Sequence, residues 1–335
     1  MTIEDVAREA GVSRSLVSLV MRGSSKVSEE RRRRVLEAAA LLSYRPNAMA
    51  RGLASRRTRT VGVLLNELHN PFYAEIMDGI EEVAAEHEYR VLIGTGGRRS
   101  SGEKATLEAF LELRADGVLL VGPRLPTREI VAVAEATAVV VVARGIRSPF
   151  VDSITNDERA GARLVVGHLV ELGHQTIAHV DGGAGAGARA RRAGYEQAMR
   201  DYRLARNIRV IPGDYTDDAG VRAAARLLES GRLPTAVFAA NDFVAAGLID
   251  RLEEAGLRIP ADLSVVGCDN TYLAALHHMS LTTIDQPRPD MGRQAMELLV
   301  ERMERRRTSP VHTLVTPSLV VRKSTAPLLV AAKAP

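Results

Sequence analysis

Between residues 61 and 268 the chain returns repeatedly to short, unbroken apolar runs. They are VGVLL at 61–65, RVLIG at 90–94, GVLLVG at 117–122, VVVVA at 139–143, TIAHV at 176–180, RVI at 209–211, AVFAA at 236–240 and SVVGC at 264–268. Amphipathic helical patterns separate them. A strand with one wet face alternates apolar and polar side chains, so runs that do not alternate belong to strands buried on both faces, as in parallel sheets covered by helices. Eight such runs, with further strands expected later in the chain, suit two doubly wound α/β lobes better than one. No window approaches eighteen consecutive apolar residues, and the opening MTIEDVAREAG carries acids where a secretory leader needs bases and an apolar stretch. A soluble cytoplasmic protein is expected. Its single cysteine, Cys268, can form no intramolecular disulfide and suits a reducing compartment.

The first 59 residues differ in kind. They hold 13 Arg and Lys against 6 Asp and Glu, whereas the remaining 276 hold 32 against 35. A basic end on a mildly acidic body is the footprint of a module that meets a polyanion, with nucleic acid the leading candidate and a solvated basic face the alternative. Periodicity sharpens this. Thr2 with Asp5 can cap a helix whose face is Ile3, Val6, Ala7 and Ala10 and which Gly11 ends. Ser13 can cap a second, with Leu16, Val17 and Val20 inward and Gly23 as its stop. Ser28 starts a third, with Val35, Leu36, Ala39 and Leu42 inward and the bases Arg31–Arg34 at its beginning. Two short helices joined by a tight glycine turn and braced by a third make a helix-turn-helix, expected at 1–45. The second helix would then offer Arg14, Ser15, Ser18 and Arg22 to a DNA groove.

The string from Thr2 to Leu65, with DVA…AGVS, Val27–Ser28 and the YRPN at 44–47, resembles the head of a lactose-repressor (LacI/GalR) family transcription factor. The resemblance extends over almost the whole chain. It implies a periplasmic-binding-protein-like body at 60–335, with an N-lobe of about 60–156 and 286–315, a C-lobe of about 157–285 and 316–335, and three crossings near Asn156, Gln286 and Val315. It also implies a homodimer on pseudo-palindromic operator DNA, acting in the cytoplasm at the nucleoid. Contacts to DNA would come from Thr2, Ser13, Arg14, Ser15, Ser18, Leu19 and Arg22. Leu19 departs from the polar reader usual in the family, and stands either as an apolar contact to a thymine methyl or as core. Arg22 and the Arg31–Arg34 run suit phosphates. The segment 46–59 holds a hinge too short to be helical alone in water. By the resemblance it folds on DNA, with Asn47 and Ala50 against the duplex and Leu53 wedged into the minor groove.

In doubly wound sheets, ligands sit beyond the carboxyl ends of the strands. Asn66, Phe72, Tyr73, Arg144, Arg191, Tyr215, Asn241, Asp269 and Gln286 fall there, beside Asp242 and Asn270, and resemble the family's effector contacts. Carboxylate, guanidinium and amide groups with flat aromatic faces suit a sugar. Ala143 replaces an acid that many sugar-binding members carry, which leaves a nucleoside or another small metabolite as the alternative effector.

Signals for an enzyme are weak. The turn of Gly182, Gly183, Gly185 and Gly187 lacks the Lys-Ser/Thr of a P-loop, and no Gly-x-Ser-x-Gly elbow is present. The histidines, His277 and His278 included, show no metal-ligand spacing, so neither metal nor cofactor is expected. A transport-type binding protein would have no use for a basic helix-turn-helix. A DNA-tethered sugar-processing enzyme would need a catalytic base and a phosphate loop.

Overall fold

The computed structural model describes residues 1–21, 23–44 and 57–328. Contacts divide the chain into two units, Met1–Arg59 and Thr60–Pro335.

In the first unit, Thr2 and Asp5 close a capping box around the start of α1 (Ile3–Glu9): the Thr2 hydroxyl oxygen accepts from the Asp5 amide at 3.3 Å, and the Thr2 amide donates to the Asp5 carboxylate at 2.8 Å. That bond from Thr2 holds the Asp5 carboxyl below its usual range. Ser13 Oγ accepts from the Leu16 amide at the start of α2 (Arg14–Met21). Gly11 and Gly23, both in the left-handed region, turn the chain out of these helices. α3 (Glu29–Leu41) buries Val35, Ala38 and Ala39 against Val6, Ala10, Val17 and Val20. Leu36 is about half exposed, contrary to the inward place expected of it. At 100° per residue, Ala38 and Ala39 meet the two short helices, and Leu36 is rotated past the contact.

The body is built on two six-stranded sheets. The first contains β1 (Thr60–Leu65), β2 (Arg90–Thr95), β3 (Gly117–Val121), β4 (Ala138–Val142), β5 (Val151–Asn156) and, from far along the chain, β11 (His312–Val315). The second contains β6 (Ile177–Val180), β7 (Arg209–Ile211), β8 (Ala236–Phe238), β9 (Ser264–Asp269), β10 (Thr282–Asp285) and β12 (Ser318–Val320). Strand orders match: β2-β1-β3-β4-β5-β11 and β7-β6-β8-β9-β10-β12. Pairing is parallel except between β10 and β12. Six of the eight apolar runs are central strands, with Val139 to Val142 wholly buried, whereas those at 90–94 and 209–211 are the edge strands β2 and β7, half open to solvent because each has a neighbour on one side alone. β5 and β10 had no such run, because Asp152, Ser153, Thr282 and Thr283 are buried polar residues.

The helices cover these sheets: α4 (Pro71–Glu86), α5 (Ser100–Glu112), α6 (Thr127–Ala134), α7 (Glu158–Glu171), α8 (Ala188–Asp201), α9 (Asp217–Glu229), α10 (Asp242–Glu254), the short α11 (Tyr272–Ala275) and α12 (Arg288–Met303). α12 returns to the first lobe, where Met291, Ala295, Met296 and Leu299 share a core with Ile76 and Ile80 of α4. The chain thus passes between lobes after β5, after β10 and between β11 and β12. Strand order reverses at β1/β3 in one lobe and at β6/β8 in the other, the places where open α/β sheets leave a crevice. Among the described residues, no helix is long and apolar enough to cross a membrane.

Candidate functional site

The amino-terminal unit presents an exposed polar edge along the start of α2. Ser13 and Ser15 are exposed, as is Arg14, whose guanidinium pairs only loosely with exposed Glu4 at 3.4 Å. An exposed pair of this kind is readily exchanged for another anion. Thr2 is exposed beside its cap, and Ser18 is half-buried. Leu19 is also half-buried and packs against the module's core. Within the basic run, Arg32 donates to Ser24 O and Arg34 to Ala10 O, both at 2.6 Å. These two arginines brace α3 against the ends of the neighbouring helices, a role the sequence pattern did not suggest. Arg22, Asn47, Ala50 and Leu53 lie outside the described residues.

The body's cleft lies between the carboxyl ends of the two sheets. Phe72, Tyr73, Arg191, Tyr215, Asn241, Asp269 and Gln286 line one small chamber, closed down to about 20 Å³ of free space, room for little more than a water. Asn70, Ala143, Glu158 and Ala186 complete its wall. Phe72 and Tyr73 stand edge to face, 5.4 Å apart, at the start of α4, where the Asn70 side chain caps the helix by accepting from the Phe72 amide. Burial pushes the Tyr73 phenol up to about 12, so it stays protonated at neutral pH.

Arg191 is the anchor of the chamber. Its guanidinium donates to Glu158 Oε2 at 2.8 and 2.6 Å and to the carbonyl of Ala240, and lies 5.6 Å from the centre of the Tyr215 ring. The Tyr215 hydroxyl donates to Ala186 O, leaving the ring face as its contribution. Asn241 Oδ1 caps α10 by accepting from the Val244 amide, which leaves its NH₂ as donor. Asp269 closes β9 at φ 119°, a backbone conformation that costs about 1–3 kcal/mol and collects at functional sites. Burial raises its carboxyl, against the opposing pull of Arg191, and Gln286 Nε2 donates to it at 3.1 Å.

Two of the nine expected cleft residues stand apart. Asn66 is buried behind Tyr73, donating to its hydroxyl at 3.1 Å. Arg144 lines a wider outer cavity of about 590 Å³ and is held there by Pro123 O, Leu125 O and Thr127 Oγ1. Asp242 and Asn270 are likewise committed to the frame. Asp242 accepts from the Thr271 amide and from the Thr271 and Thr283 hydroxyls, and Asn270 links Asp285 to Arg322. Glu158 was missed; its signal was its place at the first turn of the helix after the crossing at Asn156.

The glycines at 182–187 answer to packing. A Cβ at Gly182 or Gly185 would fall 2.5 or 2.2 Å from the Tyr215 ring, and one at Gly187 would strike Glu158. Cys268 is fully enclosed and burial pushes its thiol well up, the opposite of a reactive thiolate. Among the described residues, no three His, Cys, Asp or Glu side chains are grouped to hold a metal ion.

A model of bacterial regulatory proteins of the lacI family matches residues 2–47, and one of a periplasmic binding protein-like domain matches residues 166–325. Catabolite control protein A of Priestia megaterium is 36% identical over 309 residues, spanning 91% of this chain and 93% of its own. The HTH-type transcriptional repressor PurR of Photobacterium profundum is 33% identical over 327 residues, 96% and 98% of the two chains. The crystal structure of the Lac repressor dimer bound to operator and the anti-inducer ONPF is similar with a TM-score of 0.85 and 30% identity, over 97% of this chain and 99% of that one. A three-helix module with an exposed polar edge and a two-lobed body are combined in this chain, and by these matches along nearly its whole length it belongs to the lacI family of DNA-binding transcriptional regulators controlled by small-molecule effectors.

Proposed function

We propose that this regulator is a homodimeric, non-enzymatic repressor of the cytoplasm, at the nucleoid, whose grip on a pseudo-palindromic operator is set by a sugar bound between the two lobes, against the side chains of the inner chamber. The observation that carries the effector class is the convergence of Asp269, Arg191, Asn241 and Gln286 on one small space with Phe72 and Tyr215 as flat walls. Carboxylate, guanidinium and amides together match a ring of hydroxyls that both donate and accept, and the aromatic faces match its C–H surface. The same two rings favour a nucleoside as second reading, since a base also offers a flat face.

On DNA, Arg14, Ser15, Ser18 and Arg22 read or grip the groove, and Thr2 and Ser13 lie at the backbone. Leu19 packs inward in support of α2, with its outer edge left for a methyl group. Asn47 and Ala50 meet the duplex through the hinge and Leu53 enters the minor groove. The effector acts by binding unequally to the DNA-competent and incompetent arrangements of the lobes.

The test is a thermal-shift screen of the full chain against sugars and nucleosides, followed by operator titration with each hit. A ligand at one hundred times its dissociation constant adds about 2.7 kcal/mol of stability. A stereospecific sugar that stabilises the chain and changes operator affinity is the expected result; a hit only among nucleosides selects the second reading. For the hinge, Leu53→Ala is expected to weaken specific operator binding and spare nonspecific binding, and equal loss of both removes the wedge.

A further inference from the structure

The outer cavity differs from the chamber in charge. The two share Ala143, Glu158 and Ala186 as walls, but Arg124, Arg144 and Arg189 line the outer one. Glu158 is the one acid on that wall, and its carboxylate is already paired with Arg191. Glu103 lies beneath the turn that carries Arg124, with its carboxylate oxygens taken by the backbone amides of Arg124 and Leu125. Even with Glu103 set against one guanidinium, the walls remain positive.

The three cations keep unused donors. Arg124 Nε is buried and has no hydrogen-bond partner among the described residues, so its guanidinium charge is only partly met by the frame around it. Arg144 spends both Nη1 protons on carbonyls and one Nη2 proton on Thr127, which leaves Nε and one Nη2 proton. Arg189 is exposed in the first turn of α8, and that helix starts at Gly187 with no side-chain cap and no acid in its first turn. A helix start of this kind adds partial positive charge on the same side of the cavity.

We propose that the outer cavity is an anion subsite, built to hold a phosphate or carboxylate carried by the molecule whose polyol part faces the side chains of the chamber. This names the effector as an anionic sugar derivative and rests on the reading of the cleft as the effector site. Guanidinium forks and helix amides both suit an oxyanion with several acceptor oxygens. The neutral part would meet the Asp269 and Asn241 end, and the charged part would sit toward Arg124 and Arg189.

The experiment titrates the full chain with inorganic phosphate exchanged for chloride at constant ionic strength, reading thermal stability. Any phosphate taken up by the basic amino-terminal module is common to every variant, so the quantity that decides is the difference between proteins. Expected is a saturable response whose apparent Kd rises at least tenfold in Arg124→Gln/Arg189→Gln and is unchanged in Arg206→Gln, an exposed arginine outside the cavity. A response equal in all three proteins overturns the subsite. Matched pairs then identify the anion: a hexose against its 6-phosphate and against its uronate. A tenfold or greater gain for one charged member, lost in the double variant, assigns phosphate or carboxylate; a gain for neither overturns the anionic effector. Operator affinity is read in the same titrations. Arginine-dependent binding with no effect on the operator breaks the regulatory reading and keeps the subsite, whereas a neutral sugar that releases operator without arginine dependence does the reverse.

Discussion

The two lobes share one strand order and contribute opposite chemistry to the cleft. The first supplies Phe72 and Tyr73 from the start of α4, faces that exclude water and accept almost any flat ligand. The second supplies Arg191, Asn241 and Asp269 from the ends of its strands and helices, groups that demand particular partners. One topology can thus carry shape on one side and hydrogen-bond identity on the other, because the strand ends fix positions and leave residue types free. Within the inner chamber, selectivity among hydroxyl groups should therefore reside in the second lobe, and closure against water in the first.

The largest expected effect comes from breaking the anchor of the second lobe. Arg191→Met leaves Glu158 nearly buried without its cation, and urea unfolding is expected to show a loss of about 3–5 kcal/mol. Adding Glu158→Leu should restore at least half of that; if it does not, the pair is not what holds the lobe.

Next is Asp269→Asn, which keeps shape and exchanges one carboxyl oxygen for an NH₂ donor. A buried polar group left without its partner costs about 1–3 kcal/mol, so the concentration of the screened effector that changes operator binding should rise about tenfold. An unchanged response would move selectivity out of the second lobe.

Acid should weaken the second lobe as well. His179 is enclosed between the Tyr195 and Phe238 rings, and burial lowers its imidazole to about 3. Between that value and the ordinary 6.5 the unfolded chain binds a proton that the folded chain refuses, so stability falls as pH falls through this window. Between pH 7 and pH 5 the loss from this group is about 2 kcal/mol, and His179→Leu should remove that much of the slope in urea titrations. The smallest effect expected is on the first lobe. Phe72→Leu keeps an apolar wall and loses only the flat face, about 1 kcal/mol of effector affinity by calorimetry, with discrimination between sugar epimers intact.

How far the sequence foretold this depends on where a residue's partners lie. Runs such as VVVVA declare a central strand because burial on both faces is written locally. β5 and β10 were hidden because their polar residues are satisfied from far away. Asp152 accepts from Arg302, Arg307 and the Val311 amide, and the Thr282 amide donates to Ser324 Oγ. The cleft residues were legible as polar groups at strand ends, yet pattern alone could not separate those that face the chamber from those spent on the frame. Asn66 and Asp242 have the same local look as Asn241 and Asp269. The braces Arg32 and Arg34 were read as phosphate contacts for the same reason, since bonds to carbonyls eight and two dozen residues away leave no trace in spacing.

The three crossings between lobes are each only about two residues long, and they are tied to one another. The Asp157 amide donates to Val315 O at 2.9 Å, joining the first to the third, and Asn156 donates to Gln286, joining the first to the second. Lobes on three bonded tethers can rotate about them but not slide, so the cleft opens like a book along a stiff spine. Gln286 belongs to the spine through its carbonyl oxygen and to the page through its amide on Asp269. Whatever molecule rearranges that amide therefore also disturbs the tie between the first and second crossings.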